Sequence, residues 1–552
     1  MTDLGTSQRG DGAALPGNSA LPGSSAPPDD AAPGRRRSFR LWPPEISWDA
    51  RQVTAVAANV KPAALWRHHR LFVIAACLSV IPRVIAALGF KPALLIQDSF
   101  SYMKQSVQLL PLAELRPAGY PLMLHALQPF HSLLLVTTVQ HVMGILLGTI
   151  IYAVLRTRGL PAWGSVLAAA PTLFDSRQIW LESSILPDTL FTLVLMMAVA
   201  ILIVRPRPAS WQAAIVGLLV SYASVIRGNG APVAVVILIY LLIMRVGWKV
   251  LAAGIVAFVV PLGIYVAIFF GEHGQLNITD SSGLFLWSRT MSFANCSVIK
   301  PPASLAPLCP ENQPGHPAAS APAWSIPALL TERTPADYLW DAGAWYRVGA
   351  HPGVNAANNK LATKFAERAI LAQPGAYLAT VGKEVLETFF TTDRQTDYLA
   401  MQFTTTPHVS PEAAYMAYWE NRYAFTKENT HLHQPWAYLM FLYQSPVWFP
   451  GVVFFGVMAG GLVMLIRRWR GFGRFAFLAW GVAIVNLVLP IAAHELDYRY
   501  AISAVPFACL ALGLTLVRKP VASGASGAAG AGAPAVAGPG TAGPAVEGTT
   551  AD

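Results

Sequence analysis

Long apolar runs constrain this chain more than any other feature of its sequence. Residues 250–270 contain no charged side chain, and residues 231–245 contain only Arg245. A bilayer-spanning α-helix needs about 20 predominantly apolar residues. The 552-residue chain is 54% hydrophobic and 12% charged, whereas soluble domains are about 25% charged. The sequence therefore predicts an all-α polytopic membrane protein, and it excludes a soluble globular enzyme and a mainly disordered chain.

About ten such segments can be placed along the chain, several of them short or interrupted by proline. A polytopic protein of this kind exposes alternate loops on opposite sides of the membrane. The predicted spans are approximately 71–90, 132–155, 162–180, 185–204, 211–227, 231–245, 250–270, 446–466, 475–493 and 500–517.

Basic residues mark one set of the connecting loops. The five short loops on one side contain twelve arginines and lysines and no acidic residue. Cytoplasmic loops carry such an excess, so we predict a multi-pass plasma-membrane protein with both termini in the cytoplasm. The net charge of +10 follows from this bias, and no nucleic-acid partner is expected. The twelve residues are Arg156, Arg158, Arg205, Arg207, Arg245, Lys249, Arg467, Arg468, Arg470, Arg474, Arg518 and Lys519.

The same topology divides the chain into modules. The Ala/Gly/Pro-rich ends have little to bury and predict disordered cytoplasmic tails. Between two groups of spans lies a long outer segment of mixed or irregular structure. The predicted divisions are a tail over 1–70, a seven-span module over 71–270 with a first outer loop at 91–131, an outer domain over 271–445, a three-span module over 446–517, and a tail over 518–552.

Two cysteines fall in the outer segment. Cys296 and Cys309 are separated by twelve residues, and an outer location is oxidising enough for a disulfide. We predict a disulfide between them, with two free thiols as the alternative.

Charged residues also gather at the predicted outer ends of the spans, and they come from four different connections. Carboxylates and guanidinium groups that converge there would suit a phosphate-bearing substrate, with acid–base groups beside it. The alternative is anchoring at the membrane edge with salt bridges between loops.

The most informative stretch is the first outer loop, where apolar residues recur every three or four positions after Phe100 and predict a short surface helix. Asp98 would begin that helix, either as its N-cap or as a general base.

Arg116 occupies a turn in the same loop, immediately before Pro117, Gly119 and Pro121. Proline at the first position can start a helix, and a guanidinium beside a helix N-terminus can hold a phosphate. The alternative is a weak surface pair with Glu114.

The sequence D-S-x-S-Y from Asp98, followed by E-x-R-P-x-G-Y-P from Glu114, resembles the GT-C superfamily of membrane glycosyltransferases. The similarity is greatest to the branch of protein O-mannosyltransferases, lipid A aminoarabinose transferases and RgtA/B/C/D-like enzymes. These enzymes transfer a sugar, with inversion, from a polyprenyl-phosphate carrier to an acceptor on the outer face. The resemblance implies that Asp98 is the catalytic aspartate and that Glu114 and Arg116 bind substrate, with Arg116 on the lipid phosphate. Ser99 stands where a second acidic residue often follows Asp98.

The resemblance extends through most of residues 70–517. Glu182 and Asp188 resemble the acidic position that opens the fourth span, with Asp188 the closer match. Arg227 lies in an R-x-N turn, and Arg499 lies in the sequence E-L-D-Y-R-Y before the last span, which resembles the E-x-R-Y segment found there in the family. The resemblance implies that these four residues contact substrate.

The function expected from the sequence is therefore transfer of a sugar from a polyprenyl-phosphate donor to a hydroxyl of a glycan, lipid or protein acceptor. The alternatives are a transporter or flippase, a polymerase or ligase for lipid-linked glycans, and a non-catalytic membrane scaffold. The sequence leaves open the sugar, the acceptor, the oligomeric state and any assistance by a divalent metal.

Overall fold

The computed structural model describes residues 62–313, 334–349, 352–390, 402–405, 413–425, 430–469 and 473–517. Nearly all regular structure in these ranges is helical, as the apolar runs predict. The only sheet in these ranges has two short strands, β1 (Phe90–Lys91) and β2 (His431–Leu432), which pair antiparallel. The predicted tail over 518–552 lies outside the described residues. Residues 1–61 of the predicted N-terminal tail also lie outside the described residues. Residues 62–70 belong to the first helix, so the prediction that this tail extends to residue 70 is wrong.

The helices of the first half of the chain alternate between long apolar segments and short polar ones. They are α1 (Pro62–Gly89), α2 (Gln97–Val107), α3 (Gly119–Leu127), α4 (Leu133–Thr157), α5 (Ala162–Phe174), α6 (Ser176–Ser183), α7 (Asp188–Val204), α8 (Ser210–Ile226), α9 (Gly230–Ile243) and α10 (Trp248–His273).

The helices of the second half begin with shorter elements and end with three apolar ones. They are α11 (Ser282–Thr290), α12 (Cys296–Ile299), α13 (Pro335–Trp340), α14 (Trp345–Val348), α15 (Ala356–Ala372), α16 (Pro374–Phe390), α17 (Ala413–Ala424), α18 (Trp436–Gln444), α19 (Gly451–Arg467), α20 (Arg474–Ala493) and α21 (Tyr498–Leu516).

Five of these helices are long and apolar enough to cross a bilayer, as expected of an all-α membrane protein. They are the Trp66–Gly89 part of α1, and α4, α10, α20 and α21. Five shorter apolar helices, α5, α7, α8, α9 and α19, occupy the remaining predicted spans. The total of ten spans stays a prediction. The span predicted over 162–180 is interrupted, because Asp175 ends α5 and its side chain accepts a hydrogen bond from Arg177 N at the start of α6.

Among the described residues the two largest apolar cores are separate from each other. The larger core joins α4, α7 and α21, and α21 is the most buried of the long apolar helices. The smaller core surrounds Trp287 of α11 and includes residues of α13, α14 and α15. The indole Nε1 of Trp287 donates a hydrogen bond to the Leu308 carbonyl at 2.9 Å. Part of the segment 271–445 therefore has a core of its own.

Candidate functional site

The loop after α1 is tied to the start of α7 by backbone hydrogen bonds. Leu94 N donates to the Ser183 carbonyl at 2.9 Å, and Ile185 N donates to the Leu94 carbonyl at 3.2 Å. These bonds hold the beginning of α2 against the residues that precede α7. Asp98 and Asp188, near the first residues of these two helices, are thereby brought into one region of the molecule.

Asp98 is the second residue of α2, which begins at Gln97 with Ile96 as its N-cap. The interpretation of Asp98 as the N-cap is therefore wrong. Its carboxylate instead accepts hydrogen bonds from two arginines: Arg116 Nη2 bonds Oδ1, and Arg499 Nη1 bonds Oδ2 at 2.8 Å. The Asp98 side chain keeps 17% of its surface exposed. Each of these guanidinium groups can exchange its bond to the Asp98 carboxylate for a bond to another anion.

The charge of Asp98 is strongly favoured. Burial acts to raise the pKa of this carboxyl, but the opposing attraction of Arg116 and Arg499 is greater, and the pKa falls from 3.8 to about 2. Asp98 is therefore an anion at neutral pH. With both arginines in place it is also a weak base, since proton transfer is most efficient when the pKa of the base is near the working pH.

Arg116 is positioned by the turn that leads into α3. Gly119 packs directly on the backbone of α8, where an added Cβ would lie 2.5 Å from the Val225 carbonyl carbon. The Tyr222 hydroxyl of α8 donates to the Gly119 carbonyl at 3.0 Å. The glycine of the R-P-x-G-Y-P sequence is therefore required by the close approach of two backbones. The Arg116 guanidinium carbon lies 5.5 Å from the centroid of the Tyr102 ring, a cation–π contact.

Arg499 lies in the first turn of α21. The N-cap of this helix is Asp497, whose side chain accepts a hydrogen bond from Arg499 N at 3.0 Å and also forms an ion pair with the Arg499 side chain. One guanidinium group therefore bridges Asp497 and Asp98. Its position is set by the cap of the helix that carries it.

Asp188 and Arg227 form a second pair in the same region. Asp188 opens α7 and Arg227 follows the last residue of α8, so each charge lies at the helix end where the helix dipole favours it. The two side chains form an ion pair, and Tyr500 lies 4.6 Å from the Arg227 guanidinium carbon and 5.3 Å from that of Arg499. Asp188 is 1% exposed, and its Oδ2 has no hydrogen-bond partner among the described residues.

These six side chains form what we call the arginine–aspartate cluster. They come from the first loop, from the ends of α7 and α8, and from the start of α21, so the predicted convergence of several connections is seen for this subset. Three positive and three negative charges give the cluster no formal net charge. Its members are Asp98, Arg116, Asp188, Arg227, Asp497 and Arg499.

Glu182 belongs to a different group of side chains. Arg83 of α1 donates to both of its oxygens, Nε to Oε2 at 2.8 Å and Nη2 to Oε1 at 2.9 Å. Gln178 donates to Oε1 at 3.0 Å, and His141 Nδ1 lies 3.0 Å from Oε2. The side chains of Arg83 and Glu182 are 2% and 0% exposed. This Arg83–Glu182 network, which we define as Arg83, His141, Gln178 and Glu182, leaves Glu182 no surface from which to contact a substrate.

Glu114 also lies outside the arginine–aspartate cluster. Its side chain is 49% exposed and approaches His273 of α10, with Oε1 at 4.0 Å from Nδ1. Its carbonyl accepts a hydrogen bond from Asp280 N at 2.8 Å. The alternative of a Glu114–Arg116 surface pair is not observed, because Arg116 pairs with Asp98. Glu114 instead fixes the first loop to the residues that follow α10.

Cys296 and Cys309 are joined by a disulfide with their Cα atoms 6.1 Å apart. Cys309 is part of the smaller core and Cys296 packs against it, so the disulfide connects two residues of this core. Within the described residues, one group of at least three side chains has close metal-ligand atoms, and it consists of these two cysteines and Glu311. Because both sulfurs are used in the disulfide, this group is not a candidate metal site.

Sequence reasoning missed three features of the region. Tyr102 contacts Arg116, and Tyr500 contacts Arg227 and Arg499. Both tyrosines belong to the motifs that carry the family resemblance, so their spacing from Asp98 and Arg499 is a sequence signal that points to them. The pairing of Arg83 with Glu182 joins positions 99 residues apart, and nothing local in the sequence indicates it.

No family model, no curated protein and no solved structure matches this chain.

Proposed function

We propose that the protein is a GT-C-type glycosyltransferase that moves a sugar from a polyprenyl-phosphate carrier to an acceptor hydroxyl, with inversion. The observation that supports this most directly is the sharing of the Asp98 carboxylate between Arg116 and Arg499, with part of its surface exposed. Two guanidinium groups are suited to a phosphate, which they can bind through paired N–H donors. The carboxylate beside them is suited to accept a proton.

The reaction follows from an exchange of partners. In the proposed complex the donor phosphate takes N–H donors of Arg116 and Arg499 that Asp98 holds in the free protein. The pKa of Asp98 then rises from about 2 towards its ordinary value, because the opposing charge has been shared. Asp98 therefore becomes a better base only when the donor is present.

The chemical step balances as a single displacement. Asp98 takes the proton from the acceptor hydroxyl as the acceptor oxygen attacks the anomeric carbon. The bond from that carbon to the phosphate oxygen breaks, and its electron pair stays on the departing polyprenyl phosphate. The arginines stabilise the charge that develops there. The Asp188 Oδ2 atom has no partner among the described residues, but Asp188 is 1% exposed, so this atom would accept a hydrogen bond from a sugar hydroxyl only after the cluster opens on donor binding.

The topology belongs to the same proposal. Ten spans with the basic loops in the cytoplasm would put the cluster at the outer surface of the plasma membrane. Segment 271–445 would then be an outer domain that covers the site and receives the glycan, lipid or protein acceptor.

The test is sugar release and transfer by the full chain in nanodiscs, with a panel of short-chain polyprenyl-phosphate sugars. We expect wild type to consume one donor, Asp98→Asn to lose about 100- to 10,000-fold in turnover, and Arg116→Ala to bind donor more weakly. Asp98→Asn should still bind donor, since both arginines remain. Glu367→Gln, which removes an exposed carboxylate on α15, is the matched control and should behave as wild type.

If no donor is bound or consumed, or if Asp98→Asn turns over like wild type, the proposal is wrong. Movement of an intact lipid-linked glycan across the bilayer would instead favour a flippase. Growth of a glycan chain from lipid-linked units would favour a polymerase.

A further inference from the structure

The connection between α20 and α21 carries the residues that immediately precede Arg499. It comprises residues 494–497, and Asp497 at its end caps α21 and pairs with Arg499. A shift of this connection would move Arg499 away from Asp98. The contacts that hold the connection therefore determine whether Arg499 reaches Asp98.

Arg289 of α11 and Glu384 of α16 hold the connection from the segment 271–445. Arg289 Nη1 donates to the His494 carbonyl at 3.1 Å, and Leu496 N donates to Glu384 Oε2 at 2.8 Å. The two side chains pair with each other, with Arg289 Nη1 at 2.7 Å from Glu384 Oε1. Arg289 is fully buried. One ion pair thus engages backbone groups five and three residues before Arg499.

Further contacts reach the same connection from the same segment. The Tyr377 hydroxyl of α16 donates at 3.0 Å to the carbonyl of Ala492, in the last turn of α20 just before the connection. Ala336 N of α13 donates to Glu495 Oε2 at 2.9 Å, and Ser288 Oγ lies 3.0 Å from His494 Nδ1. The connection is therefore held by α11 and α13, which contribute to the smaller core, and by α16, whose buried residues Val381 and Phe389 belong to the larger core.

We propose that Arg289 and Glu384 are positioning residues that hold Arg499 against Asp98, so that segment 271–445 sets the affinity of the cluster for the donor phosphate. This inference rests on the proposed function. Neither residue touches the cluster itself; they act through the backbone of residues 494–496. A movement of α11 or α16 on acceptor binding would be transmitted to Arg499 by the same contacts.

The test compares substitutions at two glutamates on one helix. Glu384→Ala removes the acceptor of the Leu496 amide and the partner of Arg289, whereas Glu384→Gln keeps an acceptor and removes the charge. Glu387, one turn further along α16, is half-exposed and pairs with Lys383 at 3.7 Å. Glu387→Ala and Glu387→Gln are therefore matched controls that do not involve the connection.

Two measurements are made on the full chain in nanodiscs. The first is hydrogen exchange of the peptide that contains residues 494–500. The second is the dissociation constant for a short-chain polyprenyl phosphate, which carries the phosphate without a sugar. For Glu384→Ala we expect about tenfold faster exchange, because the partly buried Leu496 amide loses its acceptor, together with about tenfold weaker binding. Glu384→Gln should recover much of the protection and part of the affinity, and the Glu387 variants should match wild type.

Faster exchange with unchanged binding would overturn the inference, because the connection would then be loosened with no effect on Arg499. Unchanged exchange in Glu384→Ala would overturn it as well. If Glu384→Ala does not fold, the Glu384→Gln variant decides by the same two readouts. If wild type itself does not bind the polyprenyl phosphate, the proposed function fails first, and that result is recognised without any variant.

Discussion

The Arg83–Glu182 network and the arginine–aspartate cluster both pair arginines with carboxylates, and they differ in what they leave available to a ligand. In the Arg83–Glu182 network both carboxylate oxygens are occupied, and almost no surface is exposed. In the arginine–aspartate cluster, Asp98 and Arg499 keep 17% and 16% of their side-chain surface, and Asp188 Oδ2 has no partner among the described residues. A ligand site needs charge that can be reached and hydrogen-bonding capacity that is unused. Residue type alone does not separate the two groups; accessibility and saturation do.

The largest effect that would sharpen this comparison is on folding. We expect Glu182→Ala to lower the free energy of unfolding by about 3–5 kcal/mol, because it leaves the buried Arg83 without its partner. Thermal unfolding in detergent measures this change. The double replacement Arg83→Met with Glu182→Met should recover most of the loss, since apolar side chains can replace a buried ion pair. A Glu182→Ala protein that unfolds like wild type but has lost sugar transfer would restore Glu182 to the substrate site.

The second effect is on activity within the cluster. Arg499 reaches Asp98 and Asp497 through different nitrogen atoms, whereas a lysine offers a single compact charge. We expect Arg499→Lys to lower kcat/KM about 100-fold, which is about 2.7 kcal/mol, with little change in unfolding. Arg368→Lys, at an exposed arginine of α15 that donates to backbone carbonyls, is the control. Equal losses in both variants would break the distinction between the cluster and an ordinary surface arginine.

The third effect is a dependence of stability on pH. Because the folded pKa of Asp98 is lowered from 3.8 to about 2, ionised Asp98 stabilises the folded state above pH 3.8, and this contribution is lost as the pH falls towards 2. We expect Asp98→Asn to be about 2 kcal/mol less stable than wild type at neutral pH, with the difference shrinking below pH 4. Unfolding curves of both proteins between pH 7 and pH 3 measure it. A constant difference over that range would contradict the idea that the arginines hold Asp98 ionised.

The sequence predicts the helical class because apolar runs and their basic flanks are local properties. The break at Gln373 between α15 and α16 also has a local cause, because the next residue is Pro374. The pairings within the two groups are not local: Asp98 meets Arg499 across 401 positions, and Arg83 meets Glu182 across 99. Glu182 follows an apolar run, as a substrate-binding residue at the membrane edge would. Only the three-dimensional contact with Arg83 shows that its charge is already neutralised.

The equality of positive and negative charges in the arginine–aspartate cluster has a consequence for how an anion would arrive. A group with no net charge produces an electric field that decays quickly with distance, and ions in solution screen what remains beyond about 10 Å. Such a group does not draw anions from afar, as a purely basic patch does. A phosphate would be recognised only after it had come within contact range. For a lipid-borne phosphate, lateral diffusion in the bilayer would supply that encounter, and the salt concentration of the surrounding solution would have little influence on its rate.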